Sequence, residues 1–340
     1  MLVTVVPQVS GCFGVTLSAH QSIAFSPMVS RMHNAALQTG KIYVGITLIS
    51  AALYIAAGLN VFEAVNQAMT TASTSGGTAS LDFAGYDNLF LELAAMISMI
   101  LASCNFLLIW RAVSRRELRS IFSDTELRTF LAILGAVSVM IVFHLWHSGV
   151  YDIWQSLRYG TFAVVSFLST TGFASAQLSL WPGFDRYVLF LLVFAGGCIG
   201  SATGGLRIMR IIVLFRMAAR EMRRTLHPQM VVSLKIDGVP VSMKIISRVL
   251  SFFFLYIGVF FFSMLVISLS GIPLLQAMGV AAGCLSSVGS TAELYGLTSY
   301  AALPVWTKLY CTFVMILGRI EIFSFLIVLQ TIAARFHSKW

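Results

Sequence analysis

A pattern that occurs three times limits the folds open to this sequence: an apolar helix, a short amphipathic helix, a loop of Ser, Thr and Gly, and a second apolar helix. The loops are Ala72-Ser73-Thr74-Ser75-Gly76-Gly77, Ser169-Thr170-Thr171-Gly172-Phe173 and Ser286-Ser287-Val288-Gly289-Ser290. Each lies in a stretch suited to lipid, where non-helical backbone persists only if protein or a water-filled cavity covers it. Such loops can direct carbonyl oxygens at a dehydrated cation. The pattern therefore indicates an ion pathway.

The composition is that of a membrane protein. Hydrophobic residues make up 58% of the 340 residues and charged residues 10%, whereas soluble domains carry roughly 25% charged residues. We therefore expect an all-α polytopic membrane protein with helix–pore-loop–helix units repeated around a central pore. Met1 begins directly in an apolar run, without the basic region of a cleavable signal peptide.

The net charge of +9 has a topological explanation. Basic residues gather between Arg111 and Arg128 and between Arg207 and Arg248, in segments that alternate with the Ser/Thr/Gly loops. Because basic loops stay cytoplasmic, the loops are predicted to face outward, and the lipid bilayer rather than nucleic acid is the expected partner. An acidic outer mouth would concentrate cations. The outer acidic residues are Glu63, Asp82, Asp87, Asp152, Asp185 and Glu293.

About 20 helical residues cross the hydrocarbon core, which predicts spans at about 43–61, 87–111, 128–149, 185–215, 245–270 and 303–334, and a partial span over about 1–18. The amphipathic stretches at about 62–72, 152–168 and 273–285 are too short to cross and are predicted as re-entrant pore helices. The chain then divides into a partial helix with a linker at 1–42 and three units at 43–127, 128–244 and 245–340. Asp237-Gly238 between two apolar runs predicts a β-hairpin that caps a basic helix over Arg210–Arg224.

The span at about 185–215 is predicted to break in the membrane. It contains Gly196, Gly197, Gly200, Gly204 and Gly205, and each glycine costs about 1 kcal/mol in a helix interior. The resulting irregular loop is predicted to close the pathway below the filter loops and to move on gating. Close helix packing through small residues is the alternative.

Two charges, Arg319 and Glu321, lie in the middle of the last apolar span. Intramembrane charges face the protein interior and usually have partners. Arg319 is predicted to project into the pore, oppose cation passage and hold the Gly-rich loop. The alternative is an arginine bonded to backbone carbonyls with no gating role.

The remaining reactive side chains do not suggest catalysis. His144 and His147 have no third metal ligand nearby and are predicted to lie at the membrane interface beside Trp146. The cysteines are predicted to be packing residues, since their spacing fits no metal site; they are Cys12, Cys104, Cys198, Cys284 and Cys311. No Walker A loop, nucleophile elbow or HExxH motif occurs, so no enzymatic activity is expected.

Three runs carry a resemblance to a known family: Ser169-Thr170-Thr171-Gly172-Phe173-Ala174, residues 196–207, and residues 317–323. Together with Leu226-His227-Pro228 and Asp237-Gly238, they resemble the TrkH family, bacterial members of the Trk/Ktr/HKT superfamily of potassium uptake channels. The resemblance extends over nearly the whole chain.

The resemblance implies four helix–pore-loop–helix units around one pore, of which this sequence shows the last three, with residues 1–18 similar to the end of the first. It implies filter strands centred on Gly77, Gly172 and Gly289. The filter residues are then Ser75, Gly76, Gly77, Thr171, Gly172, Phe173, Val288, Gly289 and Ser290. The implied K⁺ ligands are Thr170, Thr171, Gly172, Ser287, Val288 and Gly289, and the implied gate consists of Gly196, Gly197, Gly200, Gly204, Gly205 and Arg319.

Some positions depart from the family pattern. Ser75 stands where Thr is usual and Thr78 replaces an aromatic residue, while Thr203 and Arg207 replace a Gly and a Lys in the gating run. The resemblance further implies a homodimer in the bacterial inner membrane, a cytosolic TrkA-like nucleotide-binding ring as regulatory partner, K⁺ as the transported ion, and no bound organic cofactor.

Two other functions remain open from the sequence. One is a non-conducting scaffold or regulatory paralogue of such a channel. The other is a secondary transporter coupled to Na⁺ or H⁺, for which Glu321 is the candidate midplane acid.

Overall fold

The computed structural model describes residues 28–76, 83–115, 124–226, 234–237, 239–297, 299–320 and 322–326. The α-helices of these residues are α1 (Met28–Ala56), α2 (Val61–Ser73), α3 (Leu89–Ser103), α4 (Phe106–Arg115), α5 (Thr125–His147), α6 (Ile153–Leu168), α7 (Gly183–Ala195), α8 (Ile208–Leu226), α9 (Met243–Ser268), α10 (Leu274–Ser286) and α11 (Val305–Ile320). Residues 322–326 are again helical. Short 3₁₀-helices cover Phe83–Gly85, Leu178–Leu180, Gly289–Tyr295 and Tyr300–Ala302.

The three amphipathic stretches form the helices α2, α6 and α10, as predicted. Each packs between two longer or apolar helices: α2 between α1 and α3, α6 between α5 and α7, and α10 between α9 and α11. The three-fold repeat of the sequence is therefore a repeat of the fold. Within the described residues, Leu37–Ala56, α5 and α9 are each long and apolar enough to cross a membrane as single helices.

The span predicted at about 87–111 is not one straight helix but a bent pair of helices, which together are long and apolar enough to cross a membrane. Helix α3 ends at Ser103, α4 begins at Phe106, and the two axes differ by 97°. Cys104 takes an extended conformation, and the side-chain oxygen of Asn105 accepts a hydrogen bond from the N–H of Leu107. The freed backbone groups at this bend bind elsewhere in the protein, as described below, which local periodicity could not reveal.

The predicted hairpin is present. Strands β1 (Lys235–Ile236) and β2 (Val239–Pro240) pair antiparallel, with Ile236 opposite Val239. Arg216 of α8 donates to the carbonyl oxygen of Lys235, and Thr125 at the start of α5 donates to the Asp237 carboxylate. The hairpin therefore joins the basic helix to α5.

The core lies between the repeated units. Its largest fully buried side chains include Trp181, Tyr54, Phe130, Phe162 and Phe167. The outer faces of the long helices are apolar and exposed, as Phe254 and Leu265 of α9 show, which is the surface expected of helices in lipid.

Candidate ion-conducting site

The three pore helices end in the same backbone geometry. Each is followed by a hydroxyl residue with a positive φ angle: Thr74 at 50°, Thr170 at 55° and Ser287 at 63°. The next residue donates its N–H to the carbonyl five positions earlier, in the pairs Ser75–Thr70 (3.2 Å), Thr171–Ser166 (3.0 Å) and Val288–Gly283 (2.9 Å). This is the Schellman arrangement, which normally uses glycine. A β-branched residue with positive φ is unfavourable and is maintained by its surroundings.

The matching helix ends set the register of the three loops. Counting from the residue with positive φ, Gly76, Gly172 and Gly289 occupy equivalent positions. The resemblance implied Gly77 as the filter glycine of the first loop, but Gly77 lies outside the described residues. The Gly77 assignment therefore stays a prediction, while Gly76 has the position equivalent to Gly172 and Gly289, and Ser75 that of Thr171.

The loops lie beside one another in chain order. A methyl group on Gly76 would overlap the carbonyl oxygen of Thr171. A methyl group on Gly172 would lie 3.1 Å from the N of Gly289 and 3.3 Å from the Oγ of Ser290. The structure thus brings the predicted filter residues of all three loops into one cluster, where glycines allow close approach of backbones.

Two side chains of the second loop point into the protein. Phe173 is buried, with its ring centroid 5.0 Å from that of Phe83. The Thr171 hydroxyl hydrogen-bonds that of Ser169 at 2.9 Å, and the Ser166 hydroxyl donates to the Phe173 carbonyl at 2.7 Å. The second loop is therefore held in place by Ser166 of α6 and by Phe83 of the unit at 43–127.

The third loop departs from an extended filter strand. A 3₁₀-helix begins at Gly289. The carbonyl oxygen of Val288 accepts the hydroxyl of Thr291 at 2.8 Å, and that of Gly289 accepts the hydroxyl of Tyr300 at 2.8 Å. Val288 and Gly289 are thus predicted ion ligands whose carbonyl oxygens have protein partners here. Their interactions with a hydroxyl three and eleven residues away could not be read from the loop sequence.

The Gly-rich segment between α7 and α8 is irregular, as predicted, with positive φ at Gly196, Gly200 and Gly205. We call residues 196–207 the intramembrane loop. Its backbone completes the bend between α3 and α4. The bonds are Cys198 N–H to Ser103 O (3.0 Å), Ala202 N–H to Ala102 O (3.3 Å) and Phe106 N–H to Gly200 O (3.2 Å). Two broken helices therefore satisfy one another's backbone groups, the condition for irregular backbone at membrane depth.

The intramembrane loop contacts the base of every filter loop. The Thr74 hydroxyl donates to the carbonyl of Ala202 at 2.9 Å, and the N–H of Gly204 donates to the Thr170 hydroxyl at 3.0 Å. A methyl group on Gly204 would overlap the carbonyl of Ser286. The hydroxyls at the first two helix ends are thus bonded to the segment predicted as the gate.

Arg319 joins the intramembrane loop to the first pore helix. Its Nη1 donates to the carbonyl of Ala202 at 2.7 Å and its Nη2 to the carbonyl of Ser73 at 2.7 Å. The side chain is exposed although α11 is apolar, and it lines a cavity of about 160 Å³ with Thr203, Arg207 and Tyr256. The predicted contact with the Gly-rich loop is present, and so are the carbonyl bonds of the alternative interpretation. Glu321 lies outside the described residues.

Glu126 supports the intramembrane loop from the other side, a role that sequence reasoning missed. Its side chain is 2% exposed, and Oε1 accepts the N–H of Ile199 at 2.7 Å. A glutamate at the start of an apolar helix normally faces solvent, so only the fold reveals this contact.

The outer acidic residues are not all free at the mouth. Asp185 is fully buried, and its carboxylate bonds to Nδ1 of His144 at 2.9 Å, which corrects its placement in an open mouth. Asp87, with a side chain that is 78% exposed, pairs with Arg158 at 2.8 Å. Arg158, on α6, also binds the buried Glu92 of α3 through two bonds of 2.7 and 3.0 Å.

The other predicted residues add no reactive site. Cys104, Cys198, Cys284 and Cys311 are buried and free, as expected of packing residues, and Cys12 lies outside the described residues. Among the residues that the structure describes, no three His, Cys, Asp or Glu side chains form a group suited to a metal ion.

Comparison with known proteins gives a consistent result. Residues 35–336 match the family model TrkH, described as a cation transport protein. The chain is 31% identical over 304 residues to a Trk system potassium uptake protein TrkH of Halomonas elongata, covering 89% of this chain and 63% of that protein. It is 32% identical over 280 residues to TrkG of Escherichia coli, covering 81% and 57%.

A solved structure is also similar. The crystal structure of the potassium transporter TrkH from Vibrio parahaemolyticus matches with a TM-score of 0.80 at 26% identity, covering 95% of this chain and 70% of that one. The chain spans about three fifths of the length of the curated relatives that it matches.

Proposed function

Because this chain belongs to the TrkH family of cation transport proteins, we propose that it conducts potassium ions passively into the cell through a pathway lined by its three filter loops. Its relatives are named as potassium uptake proteins. The ion is the cargo of this pathway, and backbone carbonyls with hydroxyls replace its hydration shell.

One observation carries the proposal: the three pore helices end in the same cap. In each, a hydroxyl residue with positive φ is followed by a residue whose N–H binds the carbonyl five positions earlier, and a glycine comes next. Three equivalent helix C-termini directed at a shared cluster place partial negative charge there. We assign ion coordination to the loop backbone at Ser75, Gly76, Thr170, Thr171, Gly172 and Ser287. Phe173, Ser290, Val288 and Gly289 support these loops through the contacts described above.

The gate proposed is the intramembrane loop with Arg319. Opening requires the loop to leave Thr74, Thr170 and the Arg319 guanidinium, whose bonds hold it against the filter bases. A cation that approaches the cavity below the filter meets the fixed charge of Arg319, which opposes its passage at close range. Displacement of loop and arginine together would remove both obstacles.

The assembly proposed is a homodimer in the bacterial inner membrane, with the filter loops outward and α8 and the hairpin in the cytoplasm. A cytosolic TrkA-like nucleotide-binding ring is the proposed regulator. The excess of basic residues in the segments beside α8 and the hairpin supports this orientation.

The test is rubidium uptake in cells that lack their own potassium importers and express this chain, with Gly172→Asp as the matched variant. Gly172 has a φ of 75° and lies against Gly289 and Ser290, so an aspartate there disrupts the cluster. We expect uptake by the parent and none by the variant at equal membrane insertion. Equal uptake by both would overturn the filter assignment. A fully inserted parent without uptake would favour a non-conducting paralogue.

A further inference from the structure

The hydroxyl of Tyr300 binds the backbone of the third filter loop from eleven residues downstream. It donates to the carbonyl oxygen of Gly289 at 2.8 Å, and its ring is half-buried against the hydrophobic core. The second loop is bound differently, since the hydroxyl that reaches the Phe173 carbonyl comes from Ser166 of its own pore helix, α6. The third loop therefore depends in part on a segment outside its pore helix.

The turn that carries Tyr300 is itself fixed to helix α11. Residues Tyr300–Ala302 form a short 3₁₀-helix. Nζ of Lys308, in the first turn of α11, donates to the carbonyl oxygen of Ala301 at 2.7 Å. A hydrogen bond from a charged donor is stronger than one from a neutral donor. Tyr300 therefore holds Gly289 at a position that α11 defines.

Gly289 in turn lies against the second filter loop. A methyl group on Gly172 would lie 3.1 Å from the Gly289 nitrogen, so the two loops are in close backbone contact. Gly289 is exposed, whereas its neighbours Val288 and Ser290 are buried. Because glycine has no side chain to pack and adopts more conformations than other residues, the bond from Tyr300 restrains the residue that borders Gly172.

We propose that Tyr300 is a positioning residue that determines ion selectivity, and that it acts on the second filter loop through Gly289. This role rests on the proposed function, in which the Gly172 backbone is among the groups that replace the hydration shell of the ion. Sodium is smaller than potassium or rubidium, so the loops must close further to coordinate it. Closure brings neighbouring loops together, but Gly289, held by Tyr300, already contacts Gly172 and cannot give way. Without the hydroxyl, the loops gain the freedom to adapt to the smaller ion.

The first experiment compares Tyr300→Phe with Tyr310→Phe. Both changes remove only a phenol hydroxyl, and that of Tyr310 bonds to the hydroxyl of Ser263 on α9 at 3.1 Å. Rubidium uptake is measured against increasing sodium in cells that lack their own potassium importers. We expect the preference for rubidium over sodium to fall roughly three- to tenfold in Tyr300→Phe, the range that one neutral hydrogen bond supplies, and to match the parent in Tyr310→Phe. An unaltered preference in Tyr300→Phe, or equal losses in both variants, would overturn the proposal.

A second variant acts on the turn rather than on the hydroxyl. Lys308→Met removes the ammonium donor to the Ala301 carbonyl and keeps an unbranched side chain. We expect the preference for rubidium to fall in the same direction as in Tyr300→Phe. The lost positive charge changes the attraction of rubidium and sodium alike, so the ratio of the two ions reports on the filter. A ratio equal to that of the parent in an inserted Lys308→Met protein would count against the proposal, even if Tyr300→Phe did not fold.

Thermal unfolding of the full chain in neutral detergent separates positioning from a merely structural role. Each protein is measured in choline, sodium and rubidium chloride. We expect the extra stabilisation by rubidium over sodium to shrink in Tyr300→Phe and to persist in Tyr310→Phe. An unfolding temperature that falls equally in all three salts would reduce the Tyr300 bond to a structural contact.

The two readouts also distinguish this role from potassium conduction itself. A parent protein that neither takes up rubidium nor is stabilised by it would overturn conduction, and the role of Tyr300 with it. A parent that does both, while Tyr300→Phe keeps the rubidium preference, would overturn only the role of Tyr300.

Discussion

The carboxylate of Glu126 accepts the backbone N–H of Ile199 at 2.7 Å, which joins the first turn of α5 to the intramembrane loop. The preceding residue, Thr125, donates to Asp237 of the hairpin. Two adjacent residues of α5 thus bind the hairpin on one side and the loop that contacts the filter bases on the other.

Replacement of Glu126 by alanine should destabilise this connection. It leaves the buried N–H group of Ile199 without its acceptor, at a cost of about 1–3 kcal/mol for a buried unsatisfied donor. We expect a lower unfolding temperature for Glu126→Ala and partial recovery in Glu126→Gln, which keeps one acceptor oxygen. Glu221→Ala on the exposed part of α8 should change stability by less than about 0.5 kcal/mol. Equal effects of the two alanine variants would refute the role of Glu126.

The two carboxylates bound to Arg158 should differ in importance. Glu92 is 2% exposed and binds Arg158 through two hydrogen bonds, whereas the Asp87 side chain is 78% exposed. Glu92→Gln should cost up to about 3 kcal/mol, because it removes the buried carboxylate of the pair and leaves Arg158 with only the exposed Asp87 as charge partner. Asp87→Asn should cost about 0–1 kcal/mol. Denaturation in detergent measures both.

Because Arg158 lies on α6, Glu92→Gln should also loosen the second filter loop. We expect the preference for rubidium over sodium in uptake assays to fall in this variant and to persist in Asp87→Asn. A stable Glu92→Gln protein with unaltered selectivity would show that the ion pair does not position the loop.

Local sequence was sufficient to predict the helices that recur in each unit and the segments in which glycine interrupts regular structure. The three pore helices, the irregular segment rich in glycine and the hairpin at Asp237-Gly238 follow from periodicity, helix propensity and turn chemistry. The family could also be predicted, because three separate motifs, at 169–174, 196–207 and 317–323, all resemble it.

The parts that sequence could not predict depend on contacts between distant residues. The bend at Cys104 is stabilised by residues 198–202, which bind its backbone groups. Nothing in the sequence of either segment indicates that the two are in contact. The same holds for Glu126, to which the sequence gives no role, and for Asp185, which the sequence predicts at the outer mouth but which is buried against His144. In each case a polar group has its partner far away in the sequence, in the intramembrane loop for the bend and Glu126, and on α5 for Asp185.

The three equivalent glycines should respond differently to alanine. A methyl group on Gly76 overlaps the Thr171 carbonyl, one on Gly172 makes contacts of 3.1–3.3 Å with the third loop, and one on Gly289 meets no atom within 4 Å. Gly76 and Gly172 also have positive φ. We therefore expect a large fall in unfolding temperature for Gly76→Ala, a smaller fall for Gly172→Ala and little change for Gly289→Ala. The reverse order would show that the loops do not pack as described.

Substitution of Arg319 distinguishes a gating role of this side chain from a packing role. Each of its bonds to the Ala202 and Ser73 carbonyls contributes about 1.5–3 kcal/mol as a hydrogen bond from a charged donor, so their loss should free the intramembrane loop. Rubidium uptake should rise several-fold in Arg319→Ala, whereas Arg128→Ala, an exposed arginine of α5, should match the parent. Arg319→Lys should give an intermediate rate, because an ammonium group retains the charge but does not reproduce the planar fork that bridges two carbonyls. If uptake falls in Arg319→Ala at equal expression, the arginine holds the pathway open rather than closed, and the gate must be sought elsewhere along the intramembrane loop.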